Sequence, residues 1–429
     1  MAMDDRERDV CRRLEAMRQR MADELAAWVA IPTGRGHAAG LHAQRAALAH
    51  RLRGLGAVTR DVACDARPEW IDGPGGGARG GAAGAGGSGG GAAGAGGAAG
   101  AGGAAPVDVL VAEHAAPGAR LLLSGHFDTV HDPHSSFREL RAAGGGRATG
   151  PGCADMKGGL VIALAALEAI RDAGIPLAWT FILVPDEETG SYGSARALRE
   201  AAPGHAAAFA FEPAGEGDLL VVERMGAGQF MIEAWGRAAH AGRDYAKGVS
   251  AVRALAEAVL GAEAASDAAA GRIVNVGPLE GGAVTNIVPD HARAWGNLRF
   301  SRPEDEAAIA AALAALERGA DGEVPRVRVR RIEGRPAKPL TPGVERLAAI
   351  VRGASEDLGR ALPLGRTGGV CDGNNLQAAG VPTIDTLGVR GGNLHREDEW
   401  VDLDGLVDRA QLAALSFLRT VRAAPTMRS

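Results

Sequence analysis

The stretch Trp179-Thr180-Phe181-Ile182-Leu183-Val184-Pro185 runs directly into Asp186-Glu187-Glu188. An apolar run rich in β-branched and aromatic residues, too short for a typical helix, predicts a buried strand. The acids then stand where a central strand of an α/β sheet leaves for a loop, the edge at which such sheets place their ligands. Neighbouring residues there face different ways, so one carboxylate can hold a metal while the other faces a reacting water. Taken alone, the three acids read better as a solvated turn. The rest of the chain decides between the two.

Outward from this stretch the pattern alternates. Leu121-Leu122-Leu123 predicts a strand ending at Gly125-His126, followed by a Gly-rich loop and a helix over roughly 158–173. A helix near 193–201 and a short strand at Phe209-Ala210-Phe211 come after the central run. Such alternation predicts an α/β fold, a mixed sheet layered with helices. Residues 6–30 and 40–55 carry helical apolar spacing, and a further helix is expected near 343–358. Between 225 and 336 the texture changes to alternating strands (229–235, 272–276, 292–300, 326–332) around helices at 249–262 and 303–318. The expectation is a main domain in two pieces, 1–224 and 337–429, with an α+β domain inserted at 225–336. Residues 74–105 are almost pure Gly and Ala, a composition with little to bury, and predict a flexible insertion.

Composition narrows the function. The 429 residues suffice for two domains, and a formal net charge of −5 gives no footprint for nucleic acid or an anionic membrane. No stretch has the length and apolarity of a membrane span, and the charged amino terminus lacks the apolar centre of a secretory signal. Cys11, Cys64, Cys153 and Cys371 are scattered without CxxC spacing, which predicts reduced thiols and a cytoplasmic protein. No Gly-rich segment both follows a strand and opens a helix with nucleotide-binding spacing.

Chemistry-bearing residues gather at strand ends. His126 ends one strand, and Asp128, two positions on, could bond its imidazole and fix its tautomer. Asp155 follows Gly150-Pro151-Gly152-Cys153-Ala154; such an aspartate is usually a helix cap, the alternative being a carboxylate shared by two cations. Cys153 is read as a small packed residue. Glu212 ends the Phe209-Ala210-Phe211 strand, and His395 lies in a loop that turns back toward Glu399-Trp400-Val401. Two histidines with Asp155, Glu187, Glu188 and Glu212 make an N/O donor set without thiolate, suited to zinc, cobalt or manganese. They suffice for a two-metal hydrolytic site with one acid left as base.

With these segments in this order, the chain resembles the dinuclear-zinc carboxypeptidase and deacylase family, which includes glutamate carboxypeptidase, acetylornithine deacetylase and succinyl-diaminopimelate desuccinylase. The segments are Ser124-Gly125-His126-Phe127-Asp128-Thr129-Val130, Gly150-Pro151-Gly152 with Asp155-Met156-Lys157-Gly158-Gly159, and Asp186-Glu187-Glu188-Thr189-Gly190-Ser191. Phe211-Glu212-Pro213, Gly236-Arg237-Ala238-Ala239-His240-Ala241-Gly242 and Thr285-Asn286-Ile287-Val288-Pro289 follow. Asn297-Leu298-Arg299-Phe300 and His395 with Glu399-Trp400-Val401 complete the series. Gly334-Arg335-Pro336 and Arg366-Thr367-Gly368-Gly369 tilt the likeness toward the glutamate carboxypeptidase branch.

The resemblance implies two divalent metal ions, Zn2+ foremost with Co2+ or Mn2+ as alternatives. Asp155 would bridge them, His126 and Glu212 would complete one site, and Glu188 and His395 the other. Glu187 is implied as general base and Asp128 as the residue orienting His126. The inserted domain is implied to be a lid that also forms a homodimer. His240 would reach the active site, often from the partner subunit, and stabilise the oxyanion, while Asn286, Arg299, Arg335, Thr367 and Gly368 would bind substrate. The implied reaction is metal-dependent hydrolysis of an amide bond to an amino acid with a free carboxylate, in a small peptide or N-acyl amino acid. An N-acyl-amino-acid deacylase or aminopeptidase is the alternative, and a non-catalytic metal- or ligand-binding homologue comes after that. The stretch Asp218-Leu219-Leu220-Val221-Val222-Glu223-Arg224 departs from the Lys and Ser pair of glutamate-recognising members.

Overall fold

The computed structural model describes residues 3–73 and 107–427. The predicted Gly/Ala insertion at 74–105 lies outside the described residues. The central run forms the strand Ala178–Val184, every residue of which is buried. It lies inside a six-stranded sheet ordered Val58–Val62, Val109–His114, Ala178–Val184, Arg120–His126, Ala207–Ala210, Thr383–Ile384. The first two pairings are antiparallel and the last three parallel, which makes the sheet mixed.

Alternation along the strands explains the double burial. Leu110, Ala112, Leu121, Leu123, Phe181 and Leu183 point into the larger core, against the helices Gly159–Asp172 and Gly405–Met427. Val109, Val111, Leu122, Ile182 and Val184 point to the other side, where Ala197, Leu198 and Leu376 of the helices Ala195–Ala201 and Asp372–Ala378 cover them. The strand Val58–Val62 was not foreseen; it closes an edge and only alternates in partial burial. None of the described helices is long and apolar enough to cross a membrane.

A second, wholly antiparallel sheet is ordered Arg272–Gly281, His291–Phe300, Gly226–Trp235, Arg326–Arg335. Phe230, Ile232, Ala234, Leu298, Phe300 and Val327 of these strands cluster with Leu255 and Ile309 of the helices Ala251–Glu263 and Pro303–Ala314. This apolar cluster is separate from those of the six-stranded sheet. The chain reaches the second sheet past Arg224 and returns past Lys338, and there the two backbones exchange hydrogen bonds of 2.9 and 3.0 Å. Asp385 grips Arg224 through two bonds of 2.9 and 2.8 Å and lies 3.3 Å from the fully buried Lys338 Nζ. The Asn374 amide donates to Met225 O at 2.9 Å and Pro336 O at 2.7 Å, one carbonyl from each crossing.

A third, small sheet orders Gly391–Gly392, Trp400–Asp402, Arg147–Thr149 and Arg141–Gly144. Its strands are too short and Gly-rich to be read from sequence. It ties the 393–399 loop to the 150–155 loop.

Candidate metal centre and substrate cavity

Register brings the acids together. In the parallel pair, His126 lies opposite Val184, so both strands finish level and their following loops leave from one edge. Ser124 lies opposite Ala210, which delivers Glu212 two residues later to the same edge. His126 Nε2 is 3.1 Å from Asp155 Oδ1 and 3.8 Å from Glu212 Oε2. His395 Nε2 is 3.4 Å from Asp155 Oδ2 and 3.3 Å from Glu188 Oε2. Asp155 thus turns one oxygen to each histidine. Donor atoms of His126, Asp155 and Glu188 all lie within 4.8 Å of one another, close enough to hold a metal ion.

Asp155 is not a helix cap: its carboxylate is spent on the histidines, and the helix Gly159–Asp172 starts without a side-chain cap. A buried clamp holds its backbone instead. Glu399, fully buried, accepts the N–H groups of Gly152 (3.0 Å), Ala154 (2.8 Å) and Asp155 (3.0 Å), and lies 2.6 Å from His131 Nε2. Cys153 is fully buried and burial raises its thiol pKa, which keeps it protonated and agrees with its reading as a packed residue.

Asp128 lies beyond the end of the strand Arg120–His126, and its links to His126 Nδ1 are a carbonyl at 3.1 Å and a carboxylate oxygen at 3.4 Å. The same carboxylate accepts the backbone N–H of Glu187 at 3.2 Å and of Glu188 at 3.0 Å. One aspartate therefore orients a histidine and fixes the turn that carries both glutamates.

The electrostatics fit a metal. Burial raises Glu188 well above its usual value, with Asp155 adding to the effect, and burial likewise raises Glu212. Burial would also raise Asp155, but hydrogen bonds from His126 and His395 prevail and hold it low. Burial disfavours the His126 imidazolium, yet its bonds to Asp128, Asp155 and Glu212 push its pKa well up. Hydrogen bonds to Asp155 and Glu188 raise His395 to about 11. Carboxylates here outnumber the fixed positive charge so far that they draw protons onto both imidazoles. Buried carboxylates are stable when paired or when they coordinate cations, and divalent ions would replace those protons.

Glu187, adjacent to this cluster, is buried, and burial pushes it up to about 7 against the pull of Arg335. Arg335 Nη2 is 2.7 Å from Glu187 Oε1 and donates to Glu187 O and Ser191 Oγ, both at 2.7 Å.

The family described as Peptidase family M20/M25/M40 matches residues 122–419. The chain belongs to this family. It is a hydrolase of the M20 metallopeptidases. "Carboxypeptidase G2" of Pseudomonas sp. (strain RS-16) is 31% identical over 305 residues, covering 69% of this chain and 73% of the relative. Aminopeptidase PepT from Bacillus cereus ATCC 10987 shares the fold with a TM-score of 0.68 at 22% identity, covering 94% of this chain and 99% of that one. A dinuclear metal-binding M20 peptidase from Bacillus subtilis aligns with a TM-score of 0.59 at 15% identity, over 95% and 99% of the two chains.

In this M20 hydrolase the cluster of His126, Asp155, Glu188, Glu212 and His395 opens onto a cavity of about 270 Å3. Its wall includes Asp155, Glu187, Glu188, Glu212 and His395 on one side and Gln229, Asn297, Arg299 and Arg335 from the second sheet on the other. Arg299 and Arg335 both line this cavity. Thr367 and Gly368 line a neighbouring depression with Arg302 and Arg366, whereas Val370 lines the cavity itself. His240 and Asn286 are exposed and stand outside the cavity wall in the single chain. They are close to each other: Ala241 N donates to Asn286 O at 2.9 Å.

Sequence reasoning missed several residues of the site. Arg35, Arg67, Asp72 and Tyr192 also line the cavity, and Glu399 has no role in the reading beyond its place in a matching segment. Tyr192 stands two residues beyond Gly190 in the loop of the glutamate pair, and this proximity was the one available signal.

Proposed function

We propose that the protein hydrolyses an amide bond to an amino acid with a free carboxylate, in a small peptide or N-acyl amino acid, with two divalent cations as cofactors. The observation that carries this reading is the split of Asp155, whose Oδ1 faces His126 and Oδ2 faces His395. His126 and Glu212 would hold one ion and Glu188 and His395 the other, with Asp155 between them. Zinc matches the imidazole and carboxylate donors best, and cobalt or manganese would also suit them. What bound metal supplies is a water acidified toward neutrality and a polarised amide carbonyl.

Glu187 would take a proton from the attacking water and return it to the leaving amine nitrogen. A buried carboxylate adjacent to the ligand cluster is suited to both transfers. Arg299 and Arg335 grip the carboxylate of the leaving amino acid, and a planar guanidinium can do so through two parallel bonds. Residues 225–336 act as a lid and dimerisation domain, which brings His240 and Asn286 of one subunit to the cavity of the other, where His240 stabilises the oxyanion. Thr367 and Gly368 complete the rim on the substrate side. Four free cysteines, three of them buried, accord with a reducing, cytoplasmic setting.

Metal analysis joined to a substrate panel tests this. C-terminal peptides and N-acyl amino acids should be cleaved, and free-amine dipeptides with a blocked carboxylate should not. Cleavage confined to the last group would make the protein an aminopeptidase. Two bound metals with no cleavage of any member would favour the non-catalytic reading. Glu187→Gln should abolish turnover and keep the metal; loss of metal with partial activity would refute the role of Glu187.

A further inference from the structure

Ser191 closes the loop of the glutamate pair in a conformation that serine rarely takes. Its φ is +52°, in the left-handed region, and the residue is fully buried. The loop is knit around it: Ser191 N donates to Asp186 O and Gly190 N to Glu187 O, both at 2.8 Å. Glycine adopts a positive φ without strain, as Gly190 does next door at +105°. A buried serine in the same bend calls for a use of its hydroxyl, since backbone strain of this kind gathers at functional sites.

That hydroxyl bridges two buried charges. Arg335 Nη2 donates to Ser191 Oγ at 2.7 Å, which leaves the serine proton for its other neighbour, and Oγ donates to Asp372 Oδ1 at 2.5 Å. Asp372 opens the helix Asp372–Ala378, is 2% exposed, and has Oδ1 3.7 Å from Arg335 Nη2. The same Nη2 is 2.7 Å from Glu187 Oε1 and donates to Glu187 O at 2.7 Å. A chain of directed bonds thus runs from Asp372 through Ser191 and Arg335 to the carboxylate of Glu187. Asp372 also shares the guanidinium, which divides its pull on Glu187.

We propose that Asp372 and Ser191 are positioning residues for the hydrolysis: through Arg335 they set the direction of the Glu187 carboxylate, so that turnover depends on them more than substrate binding does. This rests on the hydrolase reading above, in which Glu187 moves the proton. Arg335 and Glu187 line the cavity, whereas Ser191 and Asp372 stand behind its wall, so these two act by way of Arg335. Misplacing a reacting group by about 1 Å can cost on the order of 100-fold in rate.

The experiment measures kcat and KM of the purified, metal-loaded full chain on the amide of the panel above that the parent cleaves fastest. Ser191→Gly removes the hydroxyl and suits the left-handed backbone, so Tm should stay within about 3 °C of the parent. Its kcat should nevertheless fall by about 10- to 100-fold, with KM moving by less than about 3-fold because Arg335 keeps its charge. Asp372→Asn preserves shape, loses charge and should show the same split. Since both residues act along one chain, the double variant should lie within about 3-fold of the slower single variant. Metal content should be that of the parent in all three.

A kcat within about 3-fold of the parent in either single variant overturns the positioning role and leaves the hydrolase intact. Losses that multiply in the double variant overturn it too, because they put the two residues on separate paths. A fall in kcat that tracks loss of Tm or of metal reduces both residues to structural ones. A parallel measurement needs no turnover: 15N NMR of arginine-labelled protein follows rotation of the Arg335 guanidinium, assigned by the signal lost in Arg335→Lys. Rotation should be slow in the parent and faster in Ser191→Gly and Asp372→Asn, and equal rates refute the chain. If no amide is cleaved the hydrolase reading fails, and this measurement still decides whether Asp372 and Ser191 hold Arg335.

Discussion

Replacing Glu399 tests whether the bridging acid is held by a designed clamp. Its Oε1 accepts Ala154 and Asp155 N–H, and its Oε2 accepts Gly152 N–H and faces His131 Nε2. In Glu399→Gln one oxygen can keep two of these bonds, while the new amide NH2 opposes the Gly152 N–H. The loss is then about two charge-assisted bonds, roughly 3–6 kcal/mol at about 1.5–3 kcal/mol each. Glu399→Ala strands three buried backbone donors at about 1–3 kcal/mol apiece and should cost roughly 3–9 kcal/mol. Either is a large share of the 5–15 kcal/mol that typically holds a domain together.

Because the clamp fixes the backbone of Asp155, metal affinity in Glu399→Gln should fall by about 10- to 100-fold as well. Urea denaturation in the presence of a chelator reads the first effect without metal linkage, and competition with a chromogenic chelator reads the second. A Glu399→Gln protein as stable as the parent to within about 0.5 kcal/mol, with unaltered metal affinity, would refute the clamp.

Other outcomes follow from buried charge. Asp385→Ala leaves Arg224 and Lys338 buried without their shared partner, and should destabilise by about 3–5 kcal/mol in urea denaturation. A stability equal to the parent would show that water or another acid replaces Asp385. The metal-free protein should gain stability as pH falls from 8 to 5. Over that window the folded state binds protons on Glu187 and Asp372, both raised by burial to about 7, before the unfolded chain does. His395, raised to about 11, adds stability that is fully present below about 6.5 and declines as pH rises above it. A flat or opposite trend in chelator-treated protein would contradict these shifts. Titration of the metal-free chain with Zn2+ should saturate at two ions and raise Tm; saturation at one would remove the paired site.

The strands that carry the acids were legible because each announces itself. Ala178–Val184 is a nearly continuous apolar run ended by Pro185, Arg120–His126 carries the apolar run Leu121-Leu122-Leu123 ended by Gly125-His126, and parallel pairing then sets those ends side by side. His126, Glu187, Glu188 and Glu212 could therefore be grouped before any coordinates. Glu399 could not, since its partners are backbone N–H groups about 245 residues earlier, and a backbone donor leaves no mark on a sequence. Arg35 and Arg67 sit in irregular segments with no apolar period to place them, and nothing local says that they share Asp72. Asp128 was foreseen for its histidine, but its support of the Glu187–Glu188 turn depends on a loop reaching across the sheet edge.

The pairing of Arg224 with Lys338 has a consequence for how such a protein can change over generations. Both ends of the long excursion leave the scaffold through one gate, closed by their own backbone bonds and latched by Asp385 and Asn374. Topologically the second sheet is an outsized loop, and its length or contour can drift without moving the register of the strands that bear the acids. The wall carrying Asn297 and Arg299 can thus be remodelled while the opposite rim stays as it is; Arg335, bonded to Glu187 and Ser191, is the point where the two are tied.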